Sequence, residues 1–171
     1  MRGYVHVYTG DGKGKTTAAL GLALRAVGAG LKVYIGQFIK KGDYSEINAL
    51  KRFSDCVTVE QFGRGRFTRG KPASEDIEAA RKGLIRVKEI LFSRQHHIVI
   101  LDEINVAVSY GIFLPEDLLD IIDRKPDDIE LIITGRNAAP EIVEKADLVS
   151  EVKAIKHYFQ SGVKARIGIE K

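Results

Sequence analysis

The chain has a single cysteine, Cys56, which excludes an internal disulfide and with it the disulfide framework of a small secreted domain. Cys56 stands beside Val57 with no base next to it in sequence, and reads as a small residue near a strand start rather than a nucleophile. No apolar run approaches the roughly 20 residues of a membrane-spanning helix. Metal-ligand spacing among the histidines is absent, and His96 and His97 read as structural residues ahead of a strand. Internal repeats, low-complexity segments and domain linkers are also missing. Charge of one sign does not dominate: 27 Lys and Arg face 23 Asp and Glu, a net +4. That excess does not mark a nucleic-acid binder, but it suits an anionic small ligand such as a polyphosphate. Met1-Arg2-Gly3-Tyr4 runs directly into a strand pattern and leaves no room for a signal peptide, so a cytoplasmic location is expected.

What is present is an alternation of short apolar runs with longer helical ones over 171 residues, enough for one domain. Strands are predicted at Tyr4–Tyr8, Lys32–Phe38, Val57–Phe62, His97–Leu101, Glu130–Thr134 and Leu148–Val152. Helices are predicted at Thr16–Val27, Glu46–Phe53, Ser74–Phe92, Ile104–Tyr110, Pro115–Asp123 and Pro140–Ala146. In Ser74–Phe92 the apolar Ile77, Ala80, Leu84, Val87 and Leu91 recur at helical spacing, with Ser74 as N-cap. Pro115 fits a first helical position. Val163–Ile169 is assigned to a last edge strand. The unbroken apolar run ending at Leu101 suits a strand covered on both faces. The pattern therefore predicts an α/β fold of three layers, a mostly parallel sheet with helices on both faces. Functional loops then gather at the carboxyl ends of the strands.

The run Thr9-Gly10-Asp11-Gly12-Lys13-Gly14-Lys15-Thr16-Thr17 follows a strand and opens a helix, the context a phosphate loop requires. Glycines let successive N–H groups turn inward toward phosphate oxygens, and the helix adds the positive end of its dipole. Lys15 can reach a phosphate as a mobile point charge, and the Thr16 hydroxyl is placed for a magnesium ion. The standard pattern G-x-x-x-x-G-K-[ST] asks for glycine where this chain has Thr9. The first glycine is Gly10, so the loop is one residue tighter, and Lys13 adds a second cation. A glycine-rich hairpin that binds nothing would not combine all these features.

Asp102 and Glu103 end the fourth strand beside that loop. Asp102 can hold magnesium directly or through water; Glu103 can be a second ligand or orient a reacting group. The plainer alternative is a helix cap. Arg136, after the fifth strand, lies on the ligand side and can pair with phosphate. Gly63–Pro72 is the most loop-like stretch, with Arg64, Arg66, Arg69 and Lys71.

Several segments together resemble the ATP:corrinoid adenosyltransferases of the CobA/CobO/BtuR type. They are GDGKGKTTAALGLALRA, QFIKKGDYSE, VILDEIN, IITGRNAAPEIVEKADLVSEV and AIKHYFQSGVKARIGIE, spanning nearly the whole chain. The tighter loop with its extra lysine is itself a feature of that family. The resemblance implies one P-loop, RecA-like domain over residues 1–171 that binds ATP in a reversed sense along the loop. It implies transfer of the 5′-deoxyadenosyl group of ATP to a Co(I) corrinoid, with triphosphate leaving, magnesium (or manganese) as the metal, a homodimer, and a flavoprotein as possible source of reduced cobalt. Neither a nucleic acid nor a membrane is implied as partner. Lys15 and Glu103 would then serve catalysis. Thr9 to Thr17 and Arg136 would hold the nucleotide, and Thr16, Asp102 and Glu103 the metal. An aromatic loop after the third strand covers the lower corrin face in the family; Phe67 matches one aromatic, and Arg69 stands where a second is usual.

Two alternatives stay open on the residues alone. One is an NTPase or kinase with Glu103 orienting water or an acceptor. The other is a nucleotide-dependent nucleic-acid module using Arg64, Arg66, Arg69 and Lys71.

Overall fold

The computed structural model describes residues 2–65 and 72–170. Six strands form one sheet: β1 (Val5–Thr9), β2 (Val33–Phe38), β3 (Val57–Phe62), β4 (Ile98–Asp102), β5 (Glu130–Thr134) and β6 (Leu148–Glu151), in the order β3-β2-β4-β5-β1-β6. Each neighbouring pair is parallel. The helices are α1 (Lys15–Gly28), α2 (Ser45–Leu50), α3 (Ser74–Ser93), α4 (Ile104–Ser109), α5 (Pro115–Arg124) and α6 (Pro140–Lys145). The predicted helix Glu46–Phe53 divides into α2 and a 3-10 turn at Lys51–Phe53.

The central strands bury both faces, because successive side chains point to opposite sides. Ile35, Ile100 and Ile132 pack against α1, where Ala19, Ala23 and Ala26 recur at helical spacing and let the helix lie close. Val99, Leu101 and Ile133 face the other way, against Leu84 and Val87 of α3, Leu118 of α5 and Ile142 of α6. Each such side chain contributes about 1.5–3 kcal/mol by leaving water. The result is the expected three-layer α/β architecture. Among the described residues no helix is long and apolar enough to cross a membrane.

Two local expectations are corrected. The cap of α3 is Ala73 rather than Ser74. Asp76 reaches back to accept the Ala73 backbone N–H at 3.4 Å, while the Ser74 hydroxyl donates to Glu75. The second correction is Val163–Ile169, which is not a strand. Gly162 and Gly168 take positive φ (82° and 77°) and turn the chain, and Arg166 pairs with Glu170 instead of joining β6.

Candidate functional site

Parallel register brings distant residues to one sheet edge. Gln37 lies opposite Asp102, and Tyr8 opposite Thr134, so the ends of β1, β2, β4 and β5 meet. There they border a cleft of about 910 Å³. The phosphate loop forms one wall. Lys40 and the start of α2 form another, Glu103 and Arg136 lie between, and His157 with Gly168–Glu170 closes the side.

The loop is shaped by backbone demands. Gly10 has φ 94° and Gly14 φ 124°, conformations open to glycine and rare for other residues. A Cβ on Gly12 would lie 2.7 Å from the Val152 carbonyl oxygen, which accepts the Gly12 N–H at 2.7 Å. Gly14 caps α1, and Lys15 is its first residue. Lys15 is 7% exposed, and its ammonium donates to the carbonyls of Gly10 (2.6 Å) and Gly12 (2.7 Å). Burial pushes its pKa down, and Arg136 adds to that while Glu103 opposes it. Lys13 donates to the Ile169 carbonyl at 2.7 Å, tying the loop to the C-terminal segment. Asp11, Gly12, Lys13, Gly14, Thr16 and Thr17 line the cleft, as does Lys15. Thr9 and Gly10 are not among its lining residues: the Thr9 hydroxyl accepts the Ala138 N–H at 3.2 Å and so supports the loop after β5.

Asp102 is the hub. The apolar β4 delivers it to the cleft floor at 1% exposure. One carboxylate oxygen accepts the hydroxyls of Thr16 and Thr134, both at 2.8 Å. The other accepts the Gln37 amide at 3.2 Å and the Lys40 ammonium at 2.9 Å. Burial acts to lower the Lys40 pKa, but Asp102, then Glu103, outweigh it and hold the pKa above the ordinary lysine value. Glu103 caps α4 with φ 61°, its N–H donating to the Thr134 hydroxyl at 3.1 Å. Its side chain, 25% exposed, reaches within 3.9 Å of Lys40. Burial, then the charge of Asp102, pushes its pKa up against the pull of Lys40. Glu103, which lines the cleft, and the β-branched Ile39 (φ 66°), which precedes Lys40 in the chain, both hold left-handed backbone, the kind of strain that gathers at functional sites.

Three neighbours of Asp102 escaped the sequence reading: Gln37, Lys40 and Thr134. Gln37 is a polar break in an otherwise apolar strand, a signal in itself. Lys40 lies within the segment QFIKKGDYSE, but no motif marks it. His96 and His97 lie at the other sheet end and are structural. His96 packs edge-on to Tyr34 and contacts the Thr58 hydroxyl at 3.3 Å, with its pKa lowered by burial. Arg64 pairs with Glu75 at 3.5 Å. Phe67, with Arg66, Arg69 and Lys71, lies outside the described residues.

The model of the family described as ATP:corrinoid adenosyltransferase BtuR/CobO/CobP matches residues 1–170. This chain belongs to that family. A corrinoid adenosyltransferase of Escherichia coli strain K12 is 40% identical over 171 residues, covering 99% of this chain and 86% of the relative. One from Sinorhizobium sp is 36% identical, with 99% and 80% covered. The corrinoid adenosyltransferase CobA of Salmonella typhimurium is 38% identical, with 99% and 86% covered. Among solved structures, the KaiC-like protein PH0186 of Pyrococcus horikoshii OT3 superposes with a TM-score of 0.58 at 16% identity, over 88% of this chain and 73% of that one. That likeness supports the RecA-like P-loop fold alone. The adenosyltransferase is thus a transferase acting on ATP and a corrinoid, as its family does, and membership does not favour the NTPase or kinase alternative.

Proposed function

We propose that the adenosyltransferase joins the 5′ carbon of ATP to the Co(I) of a corrinoid and releases intact triphosphate, within a single domain spanning the chain. The observation that carries this reading is the cleft itself. Its phosphate-loop wall carries Lys13 and Lys15, and its volume of about 910 Å³ stands near the top of the roughly 300–1,000 Å³ of small-ligand sites. That leaves room for the nucleoside end of ATP to meet a second substrate.

The cobalt lone pair forms the Co–C5′ bond, the C5′–O bond breaks, and its electron pair leaves on the triphosphate oxygen. No proton moves, so no general base is needed. The protein's task is to hold C5′ in line with cobalt and to stabilise charge on the leaving group. Lys13, Lys15, Arg136 and the amide of Gly14 serve the second task, while the Gly12 N–H, held by the Val152 carbonyl, fixes the loop's shape. In this role Lys15 gives up the loop carbonyls for phosphate oxygens. Asp11 and Thr17 complete the cradle; Thr9 and Gly10 act by holding its shape. Phe67 is the proposed corrin contact.

The donors present suit a magnesium (or manganese) ion. Thr16, Asp102 and Glu103 converge around the Lys40 ammonium, so the site already accommodates positive charge. Among the described residues no three His, Cys, Asp or Glu side chains could hold a metal by themselves. Phosphate oxygens would complete the coordination, as magnesium commonly requires. When bound, the ion would neutralise charge on the triphosphate. Delivery of Co(I) by a flavoprotein and a homodimeric state belong to the same reading and rest on the family resemblance; a cytoplasmic location is proposed with them.

The test is to incubate the protein with ATP, magnesium and chemically reduced corrinoid and to follow the light-sensitive cobalt–carbon product by its spectrum. Its formation in proportion to enzyme is expected. Unchanged Co(I) beside protein that binds ATP would overturn the proposal.

A further inference from the structure

Lys40 reaches Asp102 from the turn after β2. Its ammonium lies 2.9 Å from one oxygen of Asp102, 3.4 Å from the Thr16 hydroxyl and 3.9 Å from Glu103. These are the side chains that the proposed function gives to the metal, and the inference rests on that part of it. Both oxygens of Asp102 are already occupied by four partners. A divalent ion reaches that carboxylate only if one of them leaves. Gln37, Thr134 and Thr16 are neutral and fixed in β2, β5 and the first turn of α1. Lys40 alone carries charge, stands on a turn, and has a long flexible stem that is 22% exposed. A carboxylate as buried as Asp102 also requires a counter-ion.

We propose that Lys40 is a tethered counter-ion that occupies the divalent cation's place in the nucleotide-free enzyme and yields it when the metal arrives with ATP. Free magnesium brings no ligands of its own beyond water, and displacing the ammonium would leave it without a partner. Magnesium on ATP brings phosphate oxygens, and the triphosphate then receives the displaced ammonium. Tyr44, whose ring centroid is 5.9 Å from the ammonium, lies on the same turn and offers a further contact. Lys40 thus keeps Thr16, Asp102 and Glu103 in place while excluding unaccompanied metal.

The experiment compares thermal unfolding of the wild type, Lys40→Met and Lys40→Arg with and without millimolar MgCl2, at matched ionic strength and without nucleotide. Magnesium should leave the wild type and Lys40→Arg nearly unchanged. Lys40→Met should melt lower without metal and gain roughly 5 °C or more with it. An equal magnesium response in wild type and Lys40→Met, including none in either, would overturn the proposal. Should Lys40→Met fail to fold, the wild-type chain with isotope-labelled lysine supplies the answer. The Lys40 side-chain resonance should shift with MgATP and not with MgCl2 alone. A resonance unmoved by MgATP, or moved equally by MgCl2, contradicts the exchange. Neither readout involves a corrinoid, so failure of the cobalt chemistry would register separately.

Discussion

Lys15 shows how a single side chain can be poised without being committed. Its ammonium is almost wholly buried, yet its partners are two carbonyls of its own loop, and burial already weakens its hold on the proton. Phosphate oxygens are stronger acceptors for a cation than neutral carbonyls. Lys15→Ala should therefore weaken ATP binding by about one to two orders of magnitude, the worth of a charge-assisted contact of about 1.5–3 kcal/mol. Calorimetric titration measures this, and unchanged affinity would remove Lys15 from the nucleotide cradle. Lys15 was legible in the sequence because its neighbours form a motif. Lys40 was not, because nothing local signals its place. It meets Asp102 only because Gln37 and Asp102 fall opposite one another in parallel register, and register is a property of the folded sheet.

At the scale of elements, the turns after the strands place the chemistry, and close backbone approach fixes the turns. Gly63 follows β3, and a Cβ there would lie 2.3 Å from the Ile39 carbonyl carbon and 2.5 Å from its oxygen. The strained Ile39 backbone and the Lys40 side chain next to it depend on that approach. Gly63→Ala should cost about 2 kcal/mol or more, lowering the melting temperature by roughly 4–8 °C. Gly21, exposed on α1 with open space around it, makes the control. There alanine should be neutral or stabilise by up to about 1 kcal/mol, since it favours the helix. Equal melting temperatures for the two variants would contradict this view of the β2 and β3 turns. Elements with continuous apolar faces were readable from sequence, Val57–Phe62 and Glu130–Thr134 to the residue. The tail was not. Val163–Ile169 has a strand-like alternation, but glycine turns at 162 and 168 and the Arg166–Glu170 pair fold it locally, and Lys13 draws it to the cleft.

For the whole molecule, a six-stranded parallel sheet sets four strand ends side by side and so joins a phosphate loop, a buried carboxylate and an arginine from segments far apart in sequence. The architecture and the nucleotide loop were legible beforehand because periodicity and glycine spacing are local properties. The lining of the cleft by the C-terminal segment was not, because it depends on how the tail folds back. Under the proposed function the cradle also decides which end of ATP reacts: two lysines, an arginine and a helix N-terminus suit a triphosphate that departs whole, and the open part of the cleft would leave the 5′ carbon to meet cobalt. The most direct measurement is phosphorus NMR of the products formed from ATP, magnesium and reduced corrinoid. Intact triphosphate, equal in amount to the cobalt–carbon product, is the expected result. Orthophosphate and ADP formed without corrinoid at a comparable rate would contradict it.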